Sequence, residues 1–251
     1  MSEPVNPLDA ERPADARDDG SAALADFTGK WQARWPEWRI AEVFVAADQR
    51  ATALAWATLQ QELVEAAWGG SDPRPGVAKL GWWQEELSGW ARGARRHPIG
   101  TVLQPHAAPW PSLAAALPAL ADSRERPASV DDAFAAIHSF ATAVADIDRA
   151  LLGSDGDLSD PLLVAACLLQ SRMVHGGDAH VPLDMLARAG SGDAVATWAA
   201  QLEQRWPREP AGIRVRRLWA ALAYRRLRVR PLSTPLPLWQ VLWVSWRAAR
   251  D

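Results

Sequence analysis

Apolar residues recur at intervals of three and four positions along most of the chain, which is the spacing of one face of an α-helix. In residues 51–68 this stripe runs through Leu59 and Leu63 and is followed by two glycines, a typical helix end. A second stripe, in residues 79–92, consists of Leu80, Trp83, Leu87 and Trp90. Few segments alternate with a period of two, so the pattern predicts an all-α fold.

Helix-start and helix-end signals divide the rest of the chain. Ser129, followed by Asp131 and Asp132, predicts a capped helix start, and the helix continues to about Leu152. Four prolines in residues 99–121 predict short helical pieces separated by turns. A polar loop is predicted at residues 153–160, helices at residues 162–173, 193–205, 212–230 and 237–250, and a short segment at residues 180–188.

The length of the chain, 251 residues, fits one domain with one core. Residues 1–20 are acidic and rich in proline, aspartate and arginine, and they are expected to form a disordered leader before a helical domain at residues 21–251. They show no signal-peptide pattern, and no stretch approaches 18 uninterrupted apolar residues. The sequence therefore predicts a cytoplasmic protein with at most peripheral membrane contact.

Composition narrows the choice of partner. A net charge of −3 gives no overall attraction to nucleic acid, so none is expected as a partner. Fifteen tryptophans stand against one tyrosine and four phenylalanines, and most of them are expected to fill the core. The single cysteine, Cys167, lies in an apolar run and is expected to be a buried small hydrophobe.

Charged clusters give few chemical signals. His175, Asp178 and His180 lack a further firm metal ligand, so they do not predict a metal site. Asp146 and Asp148 are two apart, on different helix faces, and are expected to be solvated. The arginines of residues 214–230 form either a patch for phosphate, acidic lipid or a protein partner, or a solvated face paired with acids. Common hydrolase, nucleotide-binding and zinc-protease motifs are missing.

Several short segments resemble the squalene/phytoene synthase family. The most specific is KLGWWQEEL at residues 79–87, followed ten residues on by His97-Pro98, which is similar to that family's RLxWWxExL and HP elements. Residues 44–50 resemble the start of its first core helix, and residues 168–170 and 181–186 resemble its ALQ and YLPxxxL elements. The helix order agrees from about residue 25 to the C-terminus.

The resemblance implies a helical bundle of the isoprenoid (terpenoid) synthase type around a central cavity. It also implies that this cavity would take a prenyl diphosphate or another isoprenoid lipid. The candidate substrate-binding residues are those at matching positions, namely Arg50, Lys79, Trp83, Gln170 and Arg172. No catalytic residue is predicted.

One departure from the family pattern concerns magnesium. Active members present aspartates four apart on two helices, where they hold the Mg²⁺ ions that draw off diphosphate. Here the first helix offers only Glu62 and Glu65, and the second region keeps only Asp178. This pattern is similar to a divergent branch that includes a mitochondrial complex I assembly factor. It implies no resident cofactor, with Mg²⁺ at these three residues only if the protein is catalytic.

Three functions stay open from the sequence. The first is a non-catalytic module that binds a prenyl lipid or takes part in assembly. The second is an active prenyl-diphosphate transferase of isoprenoid biosynthesis with an unconventional Mg²⁺ site. The third is a peripheral membrane or protein-interaction domain that uses residues 214–230 and the tryptophans at 239, 243 and 246.

Overall fold

The computed structural model describes residues 15–154, 160–208, 212–229, 231–232 and 234–250. Within these residues the chain is all-helical and has no β-strand, which confirms the prediction of an all-α fold. The α-helices are α1 (Asp15–Arg34), α2 (Trp38–Ala41), α3 (Arg50–Trp68), α4 (Arg74–Trp90), α5 (Gly100–Leu103), α6 (Trp110–Asp122), α7 (Val130–Leu152), α8 (Pro161–Gly176), α9 (Leu183–Ala189), α10 (Ala194–Arg205), α11 (Arg214–Arg226) and α12 (Leu238–Arg250). Two 3-10 helices, Glu42–Phe44 and Gly177–His180, lie between them.

Two element boundaries differ from the prediction. Helix α1 begins at Asp15, so the expected domain boundary at residue 20 falls inside a helix, whereas residues 1–14 lie outside the described part. Helix α4 begins at Arg74, because Pro73 and Pro75 sit at its first turn, where proline is tolerated. Most of the predicted polar loop, residues 155–159, also lies outside the described part.

The proline-rich region is less broken than predicted. A short helix and turns precede α6 as expected, but Pro118 lies inside α6 instead of ending it. Proline removes one backbone hydrogen bond from a helix. Helix α6 continues because Leu113, Leu117 and Leu120 form a fully buried stripe whose burial offsets that cost.

Helix α7 starts as the sequence predicts. The Ser129 hydroxyl accepts a hydrogen bond from the backbone N–H of Asp132, and the Asp132 carboxylate accepts one from the backbone N–H of Ser129. This reciprocal capping satisfies two N–H groups that a helix start otherwise leaves free. It fixes where the longest helix of the described chain enters the bundle.

Helix α3 runs through the core and is buried on nearly every side. It packs against α1, α4, α5, α6 and α7. On the other side of α7, α8 packs against α7 and α11, and α11 packs against α12. Helix α12 also contacts α2, so the last helix closes against one of the first.

Tryptophans fill much of this core, as predicted. The fully or nearly fully buried ones are Trp31, Trp35, Trp38, Trp56, Trp68, Trp83, Trp90, Trp110, Trp198, Trp206 and Trp219. Many meet edge to face, such as Trp90 and Trp110, whose ring centroids are 4.9 Å apart. No described helix is both long enough and apolar enough to cross a membrane.

Candidate functional site

The first candidate metal ligand, Glu62, lies in an ion pair. Its carboxylate accepts a hydrogen bond from Nζ of Lys79 at 2.6 Å, which joins α3 to α4. The side chain of Glu62 is only 10% exposed, whereas Lys79 is 44% exposed. The structure therefore brings two predicted site residues together, but with opposite charges that neutralise each other.

The second candidate, Glu65, is paired in the same way. It forms a salt bridge with Arg34 of α1, and Nε2 of Gln61 donates to its Oε1 at 3.1 Å. Glu62 and Glu65 both border an open groove of about 340 Å³ between α1 and α3, which also contains Lys30. Cations from two helices, Lys79 of α4 and Lys30 and Arg34 of α1, thus lie around the two carboxylates that the resemblance assigns to Mg²⁺.

His97, from the segment that resembles the family's HP element, lies close to the Glu62–Lys79 ion pair. Its ring packs 4.7 Å from Trp83 and 4.5 Å from Phe27, measured between centroids. Burial lowers the pKa of His97, although the carboxylates of Glu62 and Glu86 act in the opposite direction. Nδ1 accepts a hydrogen bond from the backbone N–H of Ile99 at 3.1 Å, which requires that this nitrogen carry no proton. His97 is therefore a neutral, packed ring at neutral pH.

Glu86 has a structural role that the apolar stripe of α4, formed by Leu80, Trp83, Leu87 and Trp90, does not predict. It is buried, and its carboxylate accepts hydrogen bonds from the backbone N–H groups of Arg96 and His97 and from the indole of Trp90. Burial alone would raise the pKa of Glu86, but these hydrogen bonds and the Arg96 guanidinium outweigh it and hold the pKa at about 2. Glu86 thus fixes the loop that carries His97.

Trp83, a candidate for substrate contact, is buried in the same cluster. Its side chain is 1% exposed and is covered by His97 and Trp82. It therefore belongs to the packed core, where it supports the loop that carries His97.

The other candidates lie elsewhere. Arg50 is exposed at the start of α3 and donates to the carbonyl oxygens of Val45 and Val43 at 3.1 and 3.3 Å. Arg172 is buried at the end of α8, stacks over Trp68 and donates to the carbonyl oxygen of Arg124 at 3.0 Å. Both guanidinium groups therefore hold backbone segments in place.

Two polar residues that the sequence singled out, Asp178 and His180, lie in the 3-10 helix that follows α8. Nδ1 of His180 accepts a hydrogen bond from Arg172 at 3.2 Å, and burial together with the Arg172 charge lowers the pKa of His180 to about 4. Asp178 belongs to the 3-10 helix after α8, but its side chain lies outside the described part, as does that of His175. Within the described residues no group of three or more His, Cys, Asp or Glu side chains is arranged to hold a metal.

Asp148 is the main correction to the sequence prediction, which expected it to be solvated. It is buried and accepts hydrogen bonds from Nε of Arg216 at 2.7 Å and from the indole of Trp56 at 2.7 Å. Nη2 of Arg216 also donates to Gln60 at 2.9 Å. This central polar cluster, formed by Trp56, Gln60, Asp148 and Arg216, joins α3, α7 and α11. Asp146, two residues before Asp148, is partly exposed, as the sequence predicts.

The space around the central polar cluster is nearly filled. The cavity bordered by Trp38, Trp56, Asp148, Arg216 and Trp219 has a volume of about 10 Å³. That volume is about the size of one water molecule.

Gln170 and Cys167, both in α8, are buried in the interior. Gln170 is completely buried, and neither of its amide atoms has a hydrogen-bond partner among the described residues. Burial raises the pKa of the Cys167 thiol to about 12, so it is a neutral, inert group at neutral pH, as the sequence predicts.

The arginine run of residues 214–230 does not form one exposed patch. Arg216 and Arg226 point inward to Asp148 and Glu37, and Arg228 pairs with Glu203. Arg214 is exposed, and Arg230 lies outside the described part. Of the two alternatives, pairing with acids therefore holds for these three arginines, but two of the pairs are buried and not solvated.

The tryptophans of α12 behave differently from those of the core. Leu238, Trp239, Leu242, Trp243 and Trp246 are 73%, 69%, 52%, 57% and 39% exposed. Val241 and Ser245, on the opposite side of the helix, are fully buried. We refer to the five exposed residues as the α12 apolar face.

No protein-family model, curated protein or solved structure matches the chain. The relation to squalene/phytoene synthases therefore stays a prediction from the sequence segments quoted above.

Proposed function

We propose that this protein is a non-catalytic relative of the squalene/phytoene synthases that acts as a binding or assembly module. The observation that carries the proposal is the pairing of Glu62 with Lys79 and of Glu65 with Arg34. A magnesium ion at these carboxylates would first have to displace the side chains of Lys79 and Arg34. The free energy of both ion pairs would be lost, and the two positively charged side chains would then lie close to Mg²⁺.

The packing of the interior supports the same proposal. A prenyl chain needs an apolar cavity of several hundred cubic ångströms, as ligand sites in general do. The space beside the central polar cluster is about 10 Å³. The groove of about 340 Å³ that Glu62 and Glu65 border is open and has charged side chains at its edge. These features favour recognition at the surface over chemistry on a buried substrate.

The test is magnesium-dependent release of diphosphate from farnesyl and geranylgeranyl diphosphate by the purified protein. We expect no release with the wild type, and no difference between the wild type and Glu62→Ala. Glu85→Ala is the matched control, because Glu85 is 74% exposed and far less constrained. Release that Glu62→Ala abolishes and Glu85→Ala preserves would establish an active transferase and overturn the proposal.

Calorimetric titration with the same diphosphates separates the two kinds of non-catalytic module. Saturable binding without release indicates a lipid-binding module, and we expect Lys79→Met to weaken it if the diphosphate replaces Glu62. No binding indicates an assembly module. We favour the assembly module because the space beside the central polar cluster, about 10 Å³, is too small for a prenyl chain.

A further inference from the structure

The α12 apolar face is the largest group of exposed apolar side chains in the described part of the chain. Its five members occupy positions three and four apart, so they share one side of the helix. The other exposed large apolar residues, Val43, Val77, Leu162 and Leu183, are separated in sequence. A contiguous apolar face of this kind marks an interaction site in a folded protein.

The charged residues of α12 itself have one sign. Helix α12 contains Arg247 and Arg250 and has no acidic residue. From α11, Nε of Arg225 donates to the side chain of Gln240 at 3.0 Å, so this arginine also lies along α12. Three guanidinium groups, those of Arg225, Arg247 and Arg250, therefore lie on or beside the helix that carries this face of tryptophan and leucine.

Tryptophans and arginines lie side by side on α12, a combination that is typical of a bilayer surface. Trp243 and Trp246 stack with their centroids 5.2 Å apart, and the guanidinium of Arg250 lies 4.6 Å over the ring of Trp246. Tryptophan favours the boundary between headgroups and acyl chains, while arginine keeps its charge at the phosphates. Rings and cations on one short helix thus match both layers of that boundary.

We propose that the α12 apolar face docks in the interfacial layer of a membrane that contains anionic lipids. Helix α12 has 13 residues and is therefore about 20 Å long, too short to span a hydrocarbon core of about 30 Å. It lies in the plane of the membrane, with its tryptophans below the phosphates. An anionic bilayer offers negative charge to Arg247 and Arg250, whereas α12 of a second copy carries no carboxylate to pair with them, which favours the bilayer as the occupant.

The test is co-sedimentation of the full chain with extruded vesicles of phosphatidylcholine alone or with about 30% phosphatidylglycerol. We expect binding to the anionic vesicles that is at least about tenfold stronger than to the neutral ones and that weakens with added salt. The double variant Trp239→Ser/Trp243→Ser and the double variant Arg247→Glu/Arg250→Glu should each reduce binding about tenfold or more. All four residues are exposed, so the fold is expected to persist.

The control substitutions change exposed residues that lie outside α12. Leu183→Ser removes a leucine that is 51% exposed, and Arg92→Glu reverses an exposed charge at the end of α4. Neither should change vesicle binding by more than about twofold, because neither group would reach the bilayer.

Absence of wild-type binding to anionic vesicles, or equal losses in these controls, would overturn the proposal. So would a dimer in light scattering that Trp239→Ser/Trp243→Ser converts to a monomer without any vesicle binding. The diphosphate-release assay gives an independent result, since the docking proposal holds whether or not the interior is catalytic.

Discussion

The charge of Asp148 is held inside the protein by a single guanidinium and one indole N–H. Because its carboxylate accepts hydrogen bonds from both Arg216 and Trp56, removal of that charge leaves a buried guanidinium without compensation. We expect Asp148→Asn to lower the free energy of unfolding by about 3–5 kcal/mol. Urea unfolding followed by circular dichroism measures this loss.

Asp146 provides the matched control, since it lies two residues away on the same helix. Its side chain is 38% exposed, and its pair with Arg149 is a surface pair. Asp146→Asn should change the stability by less than about 0.5 kcal/mol. Equal effects of the two substitutions would mean that the Asp148–Arg216 pair does not carry the stability that its burial implies.

Glu86 predicts a specific dependence of stability on acid. Its pKa is about 2 in the folded chain against 4.5 for an ordinary glutamate, so the folded state favours the ionised form. The stabilisation is complete above pH 4.5 and is lost as the pH falls through 4.5 towards 2. At pH 3.5 we expect the stability difference between wild type and Glu86→Gln to be about 1.4 kcal/mol smaller than at pH 7.

The neighbouring residue tests whether this effect belongs to Glu86. Glu85 is 74% exposed, and its contact with Arg96 is long, at 3.6 Å. The stability difference between wild type and Glu85→Gln should be small and nearly the same at both pH values. If Glu85→Gln and Glu86→Gln showed the same pH dependence, the hydrogen bonds from the His97 loop could not be its cause.

At the scale of elements, Glu37 joins three segments that are distant in sequence. It pairs with Arg226 of α11, and its Oε1 accepts a hydrogen bond from the backbone N–H of Leu236 at 2.9 Å, just before α12. We expect Glu37→Gln to raise amide hydrogen exchange in α2 and α12 more than in α7, because it weakens the attachment of α12 to the body. Mass-spectrometric exchange measures the difference.

Glu42 is the control for Glu37, since it begins the 3-10 helix that follows α2 and is only half-buried. Glu42→Gln should leave exchange in α12 close to that of the wild type. A uniform increase across all helices after Glu37→Gln would instead show that the residue stabilises the whole fold and not the α12 attachment.

The helices themselves could be predicted from the sequence, and so could part of what they bury. Leu59, Leu63, Trp83 and Trp90 define stripes whose spacing directly gives the buried faces of α3 and α4. The buried charges were missed because charged side chains were assigned to solvent by type. Their positions did carry a signal, since Asp148 lies four residues after Val144 on the apolar stripe of α7.

The candidate site was predictable only as a set of residues, and not as a geometry. The sequence named Glu62 and Lys79, but it gave no indication that they bind each other, because residues in different helices have no fixed spacing. Nor could it give the small space beside the central polar cluster, which depends on how Trp38, Trp56 and Trp219 pack around Arg216. Such packing follows from the three-dimensional arrangement of side chains and not from periodicity.

At the scale of the whole molecule, buried polar contacts link distant parts of the chain into one unit. Glu37 and Arg226 are 189 positions apart, Gln60 and Arg216 are 156 apart, and Trp68 donates to Ser123 across 55 positions. Breaking any of these contacts exposes groups in several helices at once. We therefore expect the described helices to unfold in a single cooperative transition.

The tryptophans make this expectation directly measurable. Eleven buried tryptophans are spread from α1 to α11, so their fluorescence reports on tertiary packing throughout the core, while far-ultraviolet circular dichroism reports on the helices. The two urea transitions should coincide in the wild type, and Asp148→Asn should shift both to lower urea by the same amount. A fluorescence transition that precedes the loss of helix would show instead that the tryptophan core loosens before the helices melt. The central polar cluster would then stabilise packing locally without joining α3, α7 and α11 into one cooperative unit.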